Sequence, residues 1–224
     1  LVDYGRTFVA ETHKRPLADA GLRWLLARVL PSPDIFRLSL IGAWLGRPFR
    51  NLMPARLRAM LELAPERINS PSSVDSPGVF RAEGETRMRV ALLSGCAQQV
   101  LRPSINESTV RLLNRLGCEV VIADNMGCCG ALVHHMGLEE QGHAAAKRNI
   151  AAWEAAEQLH GAIDAVIINA SGCGTTIKDY GFMLREDPAY REKADRVSGL
   201  ARDITEYLAT LDLPEPAIVV DRTV

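Results

Sequence analysis

Three compact apolar runs each break off at a stretch of small residues that carries cysteine. Residues 88–93 end at Ser94-Gly95-Cys96. Residues 119–123 lead to Gly127-Cys128-Cys129-Gly130, and residues 164–169 give way to Ser171-Gly172-Cys173-Gly174. Short apolar runs bounded by turn residues read as strands. The stretches between them are long enough for helices. Ser104 and Glu107 have the capping-box spacing that opens a helix running to Leu116, with Gly117 as its stop. A second, longer helix is predicted over residues 139–160. Strands alternating with helices predict an α/β fold, a Rossmann-like parallel sheet with flanking helices. A last strand is expected at Ala217, Ile218, Val219 and Val220.

In such sheets ligands bind beyond the carboxyl ends of the strands. Cys96, Cys128, Cys129 and Cys173 all fall there, so four of the five cysteines converge on one edge of the sheet. An odd number of cysteines, two of them adjacent, makes a poor disulfide framework, and clustered reduced thiols usually mean metal or redox chemistry. An iron–sulfur cluster needs thiolates from several chain segments. The flanking Gly95, Gly127, Gly130, Gly172 and Gly174 let the backbone turn tightly around a bulky inorganic core. Adjacent cysteines on a regular strand would point to opposite faces, so Cys128 and Cys129 can serve one site only where the strand has ended. Zinc on four thiolates is a rival, although structural zinc sites usually use paired C-x-x-C knuckles and this chain has none. Direct thiol–disulfide catalysis by Cys128 and Cys129 is another. Cys118, beside Gly117 at the start of an apolar run, reads as a small core residue.

The rest of the chain is a different kind of sequence. Up to Pro71 there are 11 Lys/Arg against 6 Asp/Glu, and after it 15 against 21. That asymmetry fits either a surface for an acidic partner or anionic membrane, or ordinary solvated helix faces. The formal net charge of -1 gives no argument for nucleic acid as a partner. Leu22, Leu25, Leu26 and Val29 share one helical face, as do Met53, Leu57, Met60 and Leu61, and Pro16, Pro31, Pro33, Pro48 and Pro54 punctuate the region. The expectation is a helical segment over 1–67 that packs on something else, a Ser/Pro-rich linker over 68–87, and the cysteine-bearing domain over 88–224. No apolar run reaches the ~20 residues of a membrane span, and no secretory signal is visible. Leu1 in place of Met and the strand-like end suggest a piece of a longer protein.

These cysteine segments resemble the cysteine-rich CCG domain found in heterodisulfide reductase, in anaerobic glycerol-3-phosphate dehydrogenase and in the iron–sulfur subunit of glycolate oxidase. The glycolate oxidase branch is matched by Gly95-Cys96-Ala97-Gln98, by the stretch from Lys147 to Trp153, by Asn169-Ala170-Ser171-Gly172-Cys173-Gly174 and by Ile177-Lys178-Asp179-Tyr180-Gly181. Val2-Asp3-Tyr4-Gly5-Arg6 resembles the chain just after a two-cluster ferredoxin segment. The resemblance implies a 4Fe-4S cluster on Cys96, Cys128, Cys129 and Cys173, with further 4Fe-4S clusters in an N-terminal region outside this sequence. It also implies flavin-containing dehydrogenase partners that oxidise a 2-hydroxy acid, and a quinone or membrane-associated acceptor. The implied location is cytoplasmic, with a peripheral place on the inner membrane as an option. Lactate, glycerol-3-phosphate and heterodisulfide-linked complexes are the alternatives. The family pattern carries a further cysteine three residues before Cys173, and here that position is Ala170. His134 and His135 are close enough in sequence to tune the cluster or supply a proton, although histidines so placed are more often on a helix surface. Lys178, Asp179 and Tyr180 read as an exposed helix.

Overall fold

The protein is described by a computed structural model covering residues 2–213 and 215. Four helices come first: α1 (Val2–Thr12), α2 (Leu17–Val29), α3 (Pro33–Gly46) and α4 (Ala55–Leu63), with a 3-10 turn at Arg47–Leu52. Prolines stand at their starts: Pro16 and Pro54 precede α2 and α4, and Pro33 is the first residue of α3. There the fixed φ and missing N–H cost a helix least. The remaining elements are β1 (Gly78–Phe80), β2 (Met88–Leu92), α5 (Gln98–Leu101), α6 (Ser104–Arg115), β3 (Cys118–Ile122), α7 (Ala131–His135), α8 (Glu139–His160), β4 (Ala165–Ile168), α9 (Ser171–Lys178), α10 (Tyr180–Met183), α11 (Arg191–Leu200), β5 (Ala201–Asp203) and α12 (Ile204–Leu208).

The strands form one sheet in the order β1-β3-β2-β4-β5, parallel except for β1, which runs antiparallel to β3. Successive side chains point to opposite faces, and both faces are covered. Ala91, Leu93, Val121, Val166 and Ile168 pack with Ile150 and Trp153 of α8 and with Ile177, Met183 and Val197 from α9 to α11. Val90, Leu92, Val120 and Ile167 pack with Val110 and Leu113 of α6 and with Tyr207 of α12. Burial on both sides explains why the strands read as apolar runs instead of alternating ones, interrupted only near their starts by the ion-paired Arg89 and Glu119. Each large side chain so buried contributes roughly 1.5–3 kcal/mol.

The winding fixes where a site can lie. From β2 the chain passes through α6 on one face to β3, then through α8 on the other face to β4 on the far side of β2. Strand order therefore reverses at β2, and the crevice beyond its carboxyl end is a topological switch point. Cys96 follows β2 directly.

Several sequence expectations are revised. The stretch 68–87 holds a 3-10 turn at Ser73–Asp75 and the edge strand β1. It is pinned by a hydrogen bond from Asn106 to the Asp75 carboxylate (2.6 Å) and by Glu83 N–H to the Asn114 carbonyl (2.8 Å). The region expected to be all helix after β4 contains β5. Both strands are three residues long, too short for a periodicity to register. The Ser104–Glu107 capping box is not formed: Pro103 occupies the cap position without a side-chain bond, and Ser104 is already helical. The strand expected at Ala217 lies outside the described residues. Among those described, no helix is long and apolar enough to cross a membrane.

Candidate functional site

Each expected thiol stands where its strand stops. Cys96 follows β2 after Gly95, whose φ of +76° favours glycine. Cys128 and Cys129 lie in the loop after β3, which closes on Gly130 at φ +87° before α7 begins. Cys173 is in the first turn of α9, its N–H donating to the Ala170 carbonyl at 2.9 Å. The four side chains meet at one edge of the same core cluster. They lie close enough to perturb one another's ionisation in series, Cys96 with Cys128, Cys128 with Cys129, and Cys129 with Cys173. The two middle thiols are buried and the two outer ones partly open. Cys118 is elsewhere. It belongs to the core on the opposite face of the sheet, 3.7 Å from the Tyr207 hydroxyl.

The thiols disfavour one another's ionisation. Contact with Cys128 and then burial push the Cys96 thiol far up. Cys128 rises to about 11, first through its contact with Cys129. For Cys129 the contact with Cys128 lowers the value, but Cys173 and burial outweigh it and the thiol reaches about 12. Neutral thiols make poor nucleophiles. Four thiolates crowded on one rim need a cation to coexist, which is the condition that metal binding supplies. Cys173 also sits at the positive end of α9. Among the described residues no three His, Cys, Asp or Glu side chains are grouped to hold a single ion. The thiols are strung along a rim instead, and soft sulfur donors from several segments are the kind of donor that iron–sulfur clusters take.

The backbone carrying these thiols is held by groups whose roles the sequence did not declare. Tyr180, fully buried, donates its hydroxyl proton to the Cys129 carbonyl at 2.7 Å. Asn149, also fully buried, accepts from Gly127 N–H at 2.8 Å, and its amide donates to the Cys128 carbonyl at 3.1 Å and the Tyr180 hydroxyl at 3.2 Å. A second network ties the Cys96 segment to the end of β4. Gln98 bridges Asn106 and Asn169 at 2.7 Å each, and Asn106 also donates to the Ser94 carbonyl at 2.8 Å. The guanidinium of Arg148, an exposed residue, packs over Gly127, where a side chain would have to push it aside. Gln98, Arg148, Asn149, Asn169 and Tyr180 appear in the sequence only as letters of the motifs. Two of them, Asn149 and Asn169, are polar residues next to long apolar stretches, the one signal that could have marked them.

The expected exposed helix holds for Lys178 and Asp179 but not for Tyr180, which is buried. Lys178 pairs with Glu206 (2.6 Å) and is exposed, as is Asp179. The histidines face the helical segment and not the thiols: His135 Nδ1 lies 2.9 Å from one Asp3 carboxylate oxygen and His134 Nε2 lies 3.9 Å from the other.

Strand-end cysteines gathered at the switch point of a doubly wound sheet make this a cysteine-rich α/β domain, and residues 90–178 match the model of the CCG cysteine-rich domain family. The chain is 40% identical over 223 residues to the glycolate oxidase iron–sulfur subunit of Escherichia coli, a match covering 99% of this chain and 51% of that protein. A Bacillus subtilis protein named "Probable glycolate oxidase iron-sulfur subunit" is 35% identical over 161 residues, 72% of this chain and 35% of its own length. Lactate utilization protein A of Bacillus licheniformis is 29% identical over 124 residues, 55% of this chain and 49% of that one. The chain thus spans about half the length of the E. coli relative and a smaller share of the B. subtilis one. No solved structure matches it.

Proposed function

We propose that the chain is the part of an iron–sulfur electron-transfer subunit that holds one 4Fe-4S cluster on Cys96, Cys128, Cys129 and Cys173. The observation that carries the reading is the meeting of four thiols from three strand ends at a switch point, with Cys118 excluded from it. When bound, such a cluster supplies a one-electron carrier. The chain's own residues do the rest. Asn149 and Tyr180 fix the carbonyls of Cys128 and Cys129, and so the direction of two ligands. The amide network fixes the approach of Cys96. Arg148 places a positive charge beside the Cys128 loop.

The relatives named as glycolate oxidase subunits support a place in a glycolate oxidase or dehydrogenase. There, electrons from 2-hydroxy acid oxidation on flavin-containing partners would pass through this cluster toward a quinone-type acceptor. The lactate utilization relatives keep lactate as the alternative donor. The proposed organisation is residues 1–67 as the end of a ferredoxin-like region carrying further clusters, 68–87 as the join, and 88–224 as the cluster domain. The proposed location is cytoplasmic and peripheral to the inner membrane. Thiol–disulfide catalysis is less favoured, because Cys128 and Cys129 are raised to about 11 and 12 and an attacking thiol works best with its pKa near ambient pH. Anaerobically purified protein should be brown and contain iron and acid-labile sulfide in equal amounts. Colourless protein that takes up zinc, or no metal at all on anaerobic reconstitution, would sink the proposal.

A further inference from the structure

The helical segment carries a surface that the thiolate site does not use. Residues 33–63, from the start of α3 to the end of α4, contain five arginines against the two acids Asp34 and Glu62. Three of the five donate to carbonyls: Arg37 to that of Gln99 (2.8 Å), Arg47 to those of Ala64 and Pro65 (2.9 and 3.0 Å) and Arg58 to that of Met53 (3.4 Å). Arg50, Arg56 and Arg58 are exposed, and among the described residues none of them forms an ion pair.

Large apolar side chains stand exposed among these arginines. The inner side of α3 is spent on Phe36 and Leu40, which pack with Val100 of α5. Its outer side presents Leu38, Ile41, Trp44 and Leu45, and the 3-10 turn after it presents Phe49 and Leu52. Trp44 is 58% exposed, Phe49 59% and Leu52 84%. The nine-residue α4 that follows has no buried residue. Isolated helices below ~12–15 residues are marginal in water, so α4 needs a surface to lie on. A solvated helix face would not carry Trp, Phe and Leu together. A net-positive arginine set interleaved with aromatic and aliphatic side chains complements one surface well. That surface is the interfacial zone of an anionic bilayer, where apolar groups sink below the headgroups and guanidinium groups reach back to phosphate.

We propose that the outer face of α3, the Arg47–Leu52 turn and α4 together form a membrane-surface contact for anionic phospholipid. It gives a surface to the peripheral location proposed above and rests on that reading only for its purpose. The measurement needs no cluster, so its failure would leave the thiolate site standing.

The test is flotation of the 224-residue chain with vesicles of phosphatidylcholine and phosphatidylglycerol in equal parts, against phosphatidylcholine alone. Binding is expected to the mixed vesicles only, and to be lost in high salt. Arg50→Gln and Arg56→Gln should each weaken it about fivefold. Leu52→Glu and Phe49→Ser should abolish it, and unchanged circular dichroism would show that the fold is intact. In a Trp24→Phe background, Trp44 emission should shift to the blue on mixed vesicles, Trp153 being buried throughout. No binding, equal binding to both vesicles, or salt-independent binding would each overturn the proposal. So would a stable dimer that Leu52→Glu dissolves, because the face would then belong to a second copy.

Discussion

Cys118 and Cys173 are assigned different roles because they differ in which end of a strand they occupy. Cys118 opens β3 on the far face of the sheet from the other thiols, whereas Cys173 follows β4 at the carboxyl edge. Cys118→Ala should therefore leave the iron content unchanged and cost only the ~1 kcal/mol of a small packing loss. Cys96→Ser, Cys128→Ser, Cys129→Ser and Cys173→Ser should each lower it, as read by iron analysis after anaerobic reconstitution. A required Cys118 with a dispensable Cys173 would refute the ligand assignment. Arg148 gives a second prediction at this scale. A positive charge packed on Gly127, one residue from Cys128, favours the more negative, reduced state of a bound cluster. Arg148→Gln should lower the midpoint potential in an electron paramagnetic resonance titration, and Arg148→Lys should restore most of it. Equal potentials in all three proteins would leave Arg148 with packing alone.

Elements differ in how far the sequence disclosed them. The central strands were legible because burial on both faces writes an apolar run, and α6 and α8 because they are long. β1 and β5 were not, since a three-residue strand takes its identity from the neighbour it pairs with. The cap showed the same limit. Ser104 and Glu107 have the right spacing but sit one position inside a helix that Pro103 begins. The box that forms is at Asp203 and Glu206, where the Asp203 side chain accepts from Thr205 N–H at 2.9 Å and Glu206 accepts from Asp203 N–H at 2.8 Å. Asp203→Ala should accordingly lower stability by about 1 kcal/mol, whereas Ser104→Ala should have little effect on thermal melting. The thiols were legible in the same sense as the central strands, because a strand end can be read from local composition. Tyr180 and Asn149 were not, because what they hold lies 51 and 21 residues away in the chain.

At the scale of the whole molecule, the thiol rim is where three chain segments on the doubly wound sheet come together. Cys96, the Cys128-Cys129 pair and Cys173 follow β2, β3 and β4, three strands that lie side by side with β2 in the middle. The Cys96 and Cys128-Cys129 loops are tied to the core by the Gln98–Asn106–Asn169 network and the Asn149–Tyr180 pair, and Cys173 by the first turn of α9. The layers beneath, with Ile150 and Trp153 of α8 buried on one face and Leu113 of α6 on the other, are built mainly from aliphatic and aromatic side chains and take in the thiols only at one edge. A cluster that binds the folded rim and not the unfolded chain must stabilise the fold by mass action. Its removal should release the loops before the sheet, because local opening follows the regions with least buried support. Anaerobic removal of iron with a chelator should therefore lower the melting temperature while leaving far-ultraviolet circular dichroism nearly unchanged. Hydrogen exchange should quicken at residues 95–99, 125–131 and 170–175 and stay slow in α8 and the strands. Exchange that quickens first in α8 would mean that the thiol rim organises the core, contrary to the packing. No change anywhere on iron removal would mean that these four cysteines do not hold the iron.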